Sequence, residues 1–144
     1  MTSELSLTGY PPQDLLLRKD FIKKTELYKT KLISLSKNKK TIIVLNVPNN
    51  EEGKLYNSLF LFRNGSIVFK KDKSILPNYG VFDEKRYFKT NGVDKDFFIY
   101  KESKIKFLIC EEMWSDDYMS HNKNNCDFVI SLNASPFELK KFNI

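Results

Sequence analysis

The run Thr41-Ile42-Ile43-Val44-Leu45-Asn46-Val47 constrains the fold more than any other stretch. Its apolar residues do not alternate with polar ones, so a strand built from it buries both faces. Such a strand needs a layer packed on each side, and its natural place is central in a sheet. A chain of 144 residues is long enough to supply those layers from one domain. Layered α/β architecture is therefore the expectation.

The remaining elements follow in order. Glu4-Leu5-Ser6-Leu7-Thr8-Gly9-Tyr10 alternates like a strand that ends at a glycine turn. Pro11-Pro12 leads to a helix starting near Asp14 as cap and running to about Leu35, with Leu16, Phe21, Leu27, Tyr28, Leu32 and Leu35 on its packed face and lysines opposite. Pro48 to Gly53 reads as a polar turn. Leu55–Phe62 and Ser66–Lys70 flank Arg63-Asn64-Gly65, the hairpin signal Asn-Gly. Asp72 to Phe88 lacks periodicity and carries much polar chemistry, as a functional loop does. Asp96–Tyr100 and Ile105–Cys110 form a second hairpin across Lys-Glu-Ser-Lys. Ser115-Asp116-Asp117 caps a short helix to about Asn124, and Cys126–Leu132 is a further buried strand.

Composition excludes several classes. Hydrophobic content of 41% and aromatic content of 14% argue against disorder. No uninterrupted apolar run is long enough for a membrane span. Met1-Thr2-Ser3-Glu4 lacks the basic start and apolar stretch of a secretion signal, and the cysteines are only Cys110 and Cys126, so the expected compartment is the reducing cytoplasm. The net charge of +6 comes from scattered lysines. Arginine, the side chain suited to bidentate reading of phosphates and bases, is limited to Arg18, Arg63 and Arg86. The charge reads as solvated lysine faces, not as a nucleic-acid surface.

Chemistry concentrates in Ile105-Lys106-Phe107-Leu108-Ile109-Cys110-Glu111-Glu112-Met113-Trp114. A short apolar strand ends on a thiol at a turn, where backbone N–H groups point outward and can receive an anion. Cys110 is then either a presented nucleophile or a small buried hydrophobe. His121, the sole histidine, is the customary base for a thiol, but spacing alone does not define such a pair. One histidine and two distant cysteines form no metal-ligand pattern. No glycine-rich phosphate loop is present. Glu4 and Lys73, taken singly, read as surface charges.

Wording beyond composition resolves this choice. Lys73-Ser74-Ile75-Leu76-Pro77-Asn78-Tyr79-Gly80-Val81-Phe82-Asp83-Glu84-Lys85-Arg86-Tyr87-Phe88 resembles the nitrilase-type glutaminase domain of glutamine-dependent NAD synthetases. Glu4 to Leu16 is similar to the first catalytic segment of that family. Leu108 to Trp114 resembles its nucleophile turn, and Leu132 to Pro136 the strand end that follows. The resemblance covers nearly the whole chain. It implies a partial nitrilase-like α-β-β-α sandwich, with a mixed sheet and helices on one face, over residues 1–144.

The resemblance further implies a triad: Glu4 as general base, Lys73 as oxyanion stabiliser and Cys110 as nucleophile, assisted by Glu84. Tyr10, Tyr79, Glu111 and Ser135 match substrate-binding positions. The implied substrate is glutamine, and the implied partner is a synthetase domain absent from these residues, where ATP and Mg²⁺ are used. This chain itself would hold no cofactor, and the complete protein would form a homo-oligomer. Family members place a strand–helix unit of roughly 30 residues before the catalytic glutamate, so the expectation is a fragment truncated at both ends. Another amidase of the same superfamily and a non-catalytic remnant are the competing readings.

Overall fold

A computed structural model describes residues 1–92, 97–116, 118 and 126–136. In chain order its regular elements are helix α1 (Lys19–Leu35), strands β1 (Ile43–Glu51), β2 (Lys54–Arg63) and β3 (Ser66–Asp72), the one-turn helix α2 (Glu84–Tyr87), and strands β4 (Phe98–Tyr100), β5 (Ser103–Ile109) and β6 (Phe128–Leu132). Short 3-10 turns at Gln13–Leu17 and Cys110–Met113 precede α1 and follow β5.

The strands make two sheets, ordered β1-β2-β3 and β4-β5-β6. The first is antiparallel throughout; in the second, β4 runs against β5 while β6 runs parallel to it. Asn64 and Gly65, at φ of 51° and 80°, make the β2–β3 turn that the Asn-Gly pair predicts. Lys101 and Glu102 close the β4–β5 hairpin with positive φ at both positions.

Side-chain alternation assigns the layers. Val44, Leu59 and Leu61 of the first sheet pack against Phe107, Ile109 and Leu132 of the second. Leu45, Val47, Phe60 and Phe62 point the other way, toward Leu32 and Ile33 of α1. The order of layers is therefore helix, sheet, sheet, in line with the expected sandwich. A third cluster, Leu5, Leu16, Ile22, Leu76 and Phe88, closes one end of the structure.

Several sequence expectations are corrected. Glu4 to Tyr10 is not a strand: residues 4–8 form turns, because Leu5 takes a left-handed φ of 45°. Strand β1 is buried on both faces but lies at the edge of its sheet, with β2 in the middle. It continues through Pro48 to Glu51, so Pro48–Gly53 is mostly strand; a proline lacking its N–H suits an edge, not a centre. The α-helix begins at Lys19 after Arg18, while Asp14 accepts a hydrogen bond from Tyr87 Oη at 2.7 Å instead of capping.

The packed face of α1 also differs. Ile22, Thr25 and Lys29 are buried, whereas Leu27, Tyr28 and Leu35 are exposed. Lys29 lays its stem over the Phe60 ring, with Nζ 4.6 Å from the ring centroid, and its ammonium meets Glu26 at 2.7 Å and Asn49 at 2.8 Å. A long cationic side chain thus fills a place that simple periodicity assigns to leucine. In β6, Phe128 and Val129 are exposed, so that strand is buried only toward its end. Most of the helix expected to run to Asn124 lies outside the described residues.

Candidate active site

Glu4 reaches the interior through the bend at Leu5. The Leu5 N–H has no strand partner and donates to Asn46 Oδ1 at 2.6 Å. Asn46 belongs to β1 and is fully buried. Held this way, the Glu4 carboxylate is 1% exposed. Its Oε1 accepts from Asn57 Nδ2 at 2.9 Å and from Lys73 Nζ at 2.7 Å. Its Oε2 is buried and has no hydrogen-bond partner among the described residues. A buried acceptor left open costs stability and is the feature expected of a group kept ready for a proton.

Lys73 arrives by strand alternation. Phe69 packs on the core between the sheets, and Lys71 and Lys73 follow at the same two-residue period. The Lys73 N–H donates to the Asn57 carbonyl at 2.8 Å, so Asn57 holds the backbone of Lys73 and the side chain of Glu4. Lys73 Nζ, fully buried, also donates to Glu84 Oε1 at 2.8 Å and Oε2 at 2.9 Å. Burial pulls the ammonium toward neutrality, but Glu4 and Glu84 more than offset it and raise its pKa. The lysine is therefore a permanent cation at neutral pH.

Glu84 opens α2 and takes a third hydrogen bond from Tyr10 Oη at 2.9 Å. Burial and the neighbouring Glu4 charge raise its carboxyl pKa, against the pull of Lys73 and of the tyrosine hydroxyl. The Tyr10 phenol is itself held protonated, first by burial and then by Glu84 and Glu4. Its hydroxyl is thus a fixed donor to Glu84.

Cys110 stands where β5 gives way to a 3-10 turn, beside the end of the parallel strand β6. Ligand sites favour the carboxyl ends of parallel strands. Its φ of 46° is left-handed, an uncommon conformation for a side chain other than glycine. The thiol is 4% exposed and lies 3.5 Å from Ser135 Oγ, in the segment after β6. Burial pushes the thiol pKa up, and the Glu4 charge adds to it; Ser135 and Lys73 pull the other way without prevailing. Cys110 rests as a neutral thiol in the field of a carboxylate and an ammonium. Such a thiol needs a base at the moment of attack.

The rim is polar and exposed. Tyr79 Oη donates to Glu111, at 2.9 Å from Oε1 and 2.8 Å from Oε2. Phe82 packs edge-on to the Tyr79 ring, with centroids 5.4 Å apart. A cavity of about 290 Å³ between the Gln13–Leu17 turn and α2 touches the site through Tyr10 and Glu84 but is not lined by Cys110 or Lys73. Reactive groups, not cavity size, therefore locate the site.

The family model for carbon–nitrogen hydrolases matches residues 2–142. The chain belongs to the carbon–nitrogen hydrolase family. It is 35% identical over 142 residues to the glutamine-dependent NAD(+) synthetase of Aquifex aeolicus and 40% identical over 141 residues to that of Acinetobacter baylyi. Those alignments take in 97% and 96% of this chain but 25% of each relative, so the chain spans about a quarter of the length of the curated relatives it matches. The solved glutamine-dependent NAD+ synthetase of Acinetobacter baumannii superposes with a TM-score of 0.87 at 39% identity, over 97% of this chain and 26% of that one. An amidase from Nesterenkonia sp. AN1 shares the fold at a TM-score of 0.80 and 14% identity, over 98% of this chain and 55% of its own.

The sequence-predicted residues fall into two groups. Glu4, Lys73, Glu84 and Tyr10 form one continuous buried network, and Cys110 with Ser135 lies within its electrostatic reach. Tyr79, exposed, and Glu111, half-buried, form a pair at the edge of the site, where Tyr79 still feels the charges of Cys110 and Lys73. His121 is outside the described residues. Asn46, Asn57 and Glu112 were not anticipated. Their shared signal is a polar side chain inside a stretch whose neighbours are buried: Asn46 in the β-branched run, Asn57 ahead of Leu59 to Phe62, Glu112 behind Leu108 and Ile109. Among the described residues, no group of three or more His, Cys, Asp or Glu is placed to hold a metal ion. No described helix is long and apolar enough to cross a membrane.

Proposed function

We propose that this domain is the glutamine amidohydrolase region of a glutamine-dependent NAD synthetase, releasing ammonia through a cysteine thioester. The supporting observation is the buried network that ties Glu4 to Lys73 at 2.7 Å and leaves Glu4 Oε2 open in the field of the Cys110 thiol. Its relatives are named glutamine-dependent NAD(+) synthetases, and glutamine is the substrate this reading assigns.

Glu4 Oε2 takes the thiol proton as Cys110 Sγ attacks the side-chain carboxamide carbon. The carbonyl π electrons move onto oxygen, facing the Lys73 ammonium and the N–H groups of the Cys110 turn. Lys73 bonds both oxygens of Glu84, so exchanging one of those contacts for the substrate oxygen still leaves it anchored. The oxyanion then collapses, the carbon–nitrogen bond breaks, and Glu4 returns its proton to the leaving amine, which departs as ammonia. Water, deprotonated by Glu4, attacks the thioester, and glutamate leaves as the thiol is regenerated. Tyr79, Glu111 and Ser135 bind the substrate in this reading. No step passes through a metal; ATP and Mg²⁺ serve a synthetase domain, which receives the ammonia and amidates deamido-NAD, in a cytoplasmic homo-oligomer.

Cys110→Ala tests the reading directly. Glutamine-dependent NAD formation is expected to vanish while formation from ammonium salts persists in the full-length gene product. Retained glutamine use would remove Cys110 from the mechanism. Turnover of another amide without glutamine would reassign the substrate.

A further inference from the structure

Glu112 is fully buried, and the chemistry above makes no use of it. Its Oε1 accepts from the Ser74 N–H at 2.7 Å and lies 3.3 Å from Lys71 Nζ. Its Oε2 accepts from the Ile109 N–H at 2.8 Å. Ser74 is the residue after Lys73, and Ile109 the residue before Cys110. One carboxylate thus spans the two segments that deliver the ammonium and the thiol, one leaving β3 of the first sheet and the other leaving β5 of the second. Its neighbour on the same turn, Glu111, faces the exposed Tyr79 instead.

We propose that Glu112 is a positioning residue for the amide-cleaving reaction: a buried carboxylate clamp that fixes the distance between Lys73 and Cys110. This rests on the function proposed above. Two backbone N–H donors converge on Glu112, and only an ionised carboxylate accepts with both oxygens. Glutamine has the same shape but turns one acceptor into a donor aimed at an N–H. Lys71, 2% exposed, supplies the nearby positive charge that a buried carboxylate requires. Without the clamp, the segments lose this buried tie, and the more exposed Tyr79–Glu111 bond lies farther from both reacting groups along the chain. A displacement on the order of 1 Å at a reacting pair costs on the order of 10² in rate.

The test is Glu112→Gln beside Glu112→Asp in the full-length gene product, purified as its folded fraction by gel filtration, with active sites counted by the endpoint of iodoacetamide labelling at Cys110. For Glu112→Gln, kcat per titrated site is expected to fall about 10- to 100-fold, with KM for glutamine within about 3-fold. Glu112→Asp keeps two acceptor oxygens and is expected to recover at least about 3-fold of that loss. The labelling rate itself, which needs no glutamine, is expected to slow by about 3- to 10-fold in Glu112→Gln, because the thiolate loses its ammonium neighbour. An unchanged kcat per titrated site would overturn the clamp, since the loss would then be one of folded protein. An unchanged labelling rate would overturn it as well. If the unsubstituted protein fails to hydrolyse glutamine, the functional reading falls alone, and the labelling rate still decides on the clamp.

Discussion

Lys73 meets Glu4 at 2.7 Å and Arg18 meets Asp20 at 2.9 Å, yet the two pairs have little in common beyond that distance. Both side chains of the first pair are 0% exposed, while both of the second are 62% exposed. Around Arg18 and Asp20, water and salt screen the attraction, and either partner does well alone. Around Lys73 there is little water to replace a lost partner, so each charge depends on the others. The cluster of Glu4, Glu84 and Lys73 is held together by need, and that need makes it chemically useful. Neighbouring charges act on proton affinities most strongly where solvent does not screen them.

The largest expected contrast comes from Lys73→Met against Arg18→Ala. Losing Lys73 strands two carboxylates in the interior, and destabilisation of about 3–5 kcal/mol is expected in chemical denaturation. Amide turnover should drop on the order of 10²–10³-fold or more. Arg18→Ala should leave the melting temperature within error, and a large shift there would break the comparison.

Alkaline titration sharpens it. Folding raises the pKa of Lys73 above its usual value. Its contribution to stability is therefore complete below the unfolded-state pKa of about 10.4 and is lost as pH rises through the folded value. Denaturation midpoints are expected to decline more steeply above about pH 10 in the unsubstituted protein than in Lys73→Met. Parallel curves would show that the ammonium is not the group at stake.

The smallest effect belongs to the rim. Tyr79→Phe removes a hydroxyl that is bonded to Glu111 and mostly open to solvent. KM for glutamine is expected to rise roughly 2- to 10-fold with kcat nearly unchanged. A fall in kcat would move Tyr79 from the rim into the reacting cluster.

Burial also explains which features the sequence disclosed. The Asn64-Gly65 turn and the doubly buried β1 were legible, because turn chemistry and periodicity are local, and motif wording singled out Glu4, Lys73 and Cys110. The edge position of β1 was not, since strand order is set by partners far along the chain; Pro48 was the one local hint. The inward turn at Leu5 was equally hidden, for it depends on Asn46 more than forty residues later. Lys29 misled by type: a lysine counts as surface until its ammonium finds Glu26 and Asn49. Asn57 and Glu112 escaped for the complementary reason, each being a polar letter beside an apolar run whose purpose appears only when the two sheets meet.

The left-handed backbone at Cys110 carries a last implication. At a φ of 46° the chain would settle most comfortably with no side chain at all. A sulfur-bearing residue there opposes the local conformational preference, so sturdiness and reactivity pull this position in opposite directions. Selection for robustness alone would drift toward glycine and silence the site. A thiol at such a bend suits the nucleophile role proposed for Cys110, for which the local backbone preference is set aside.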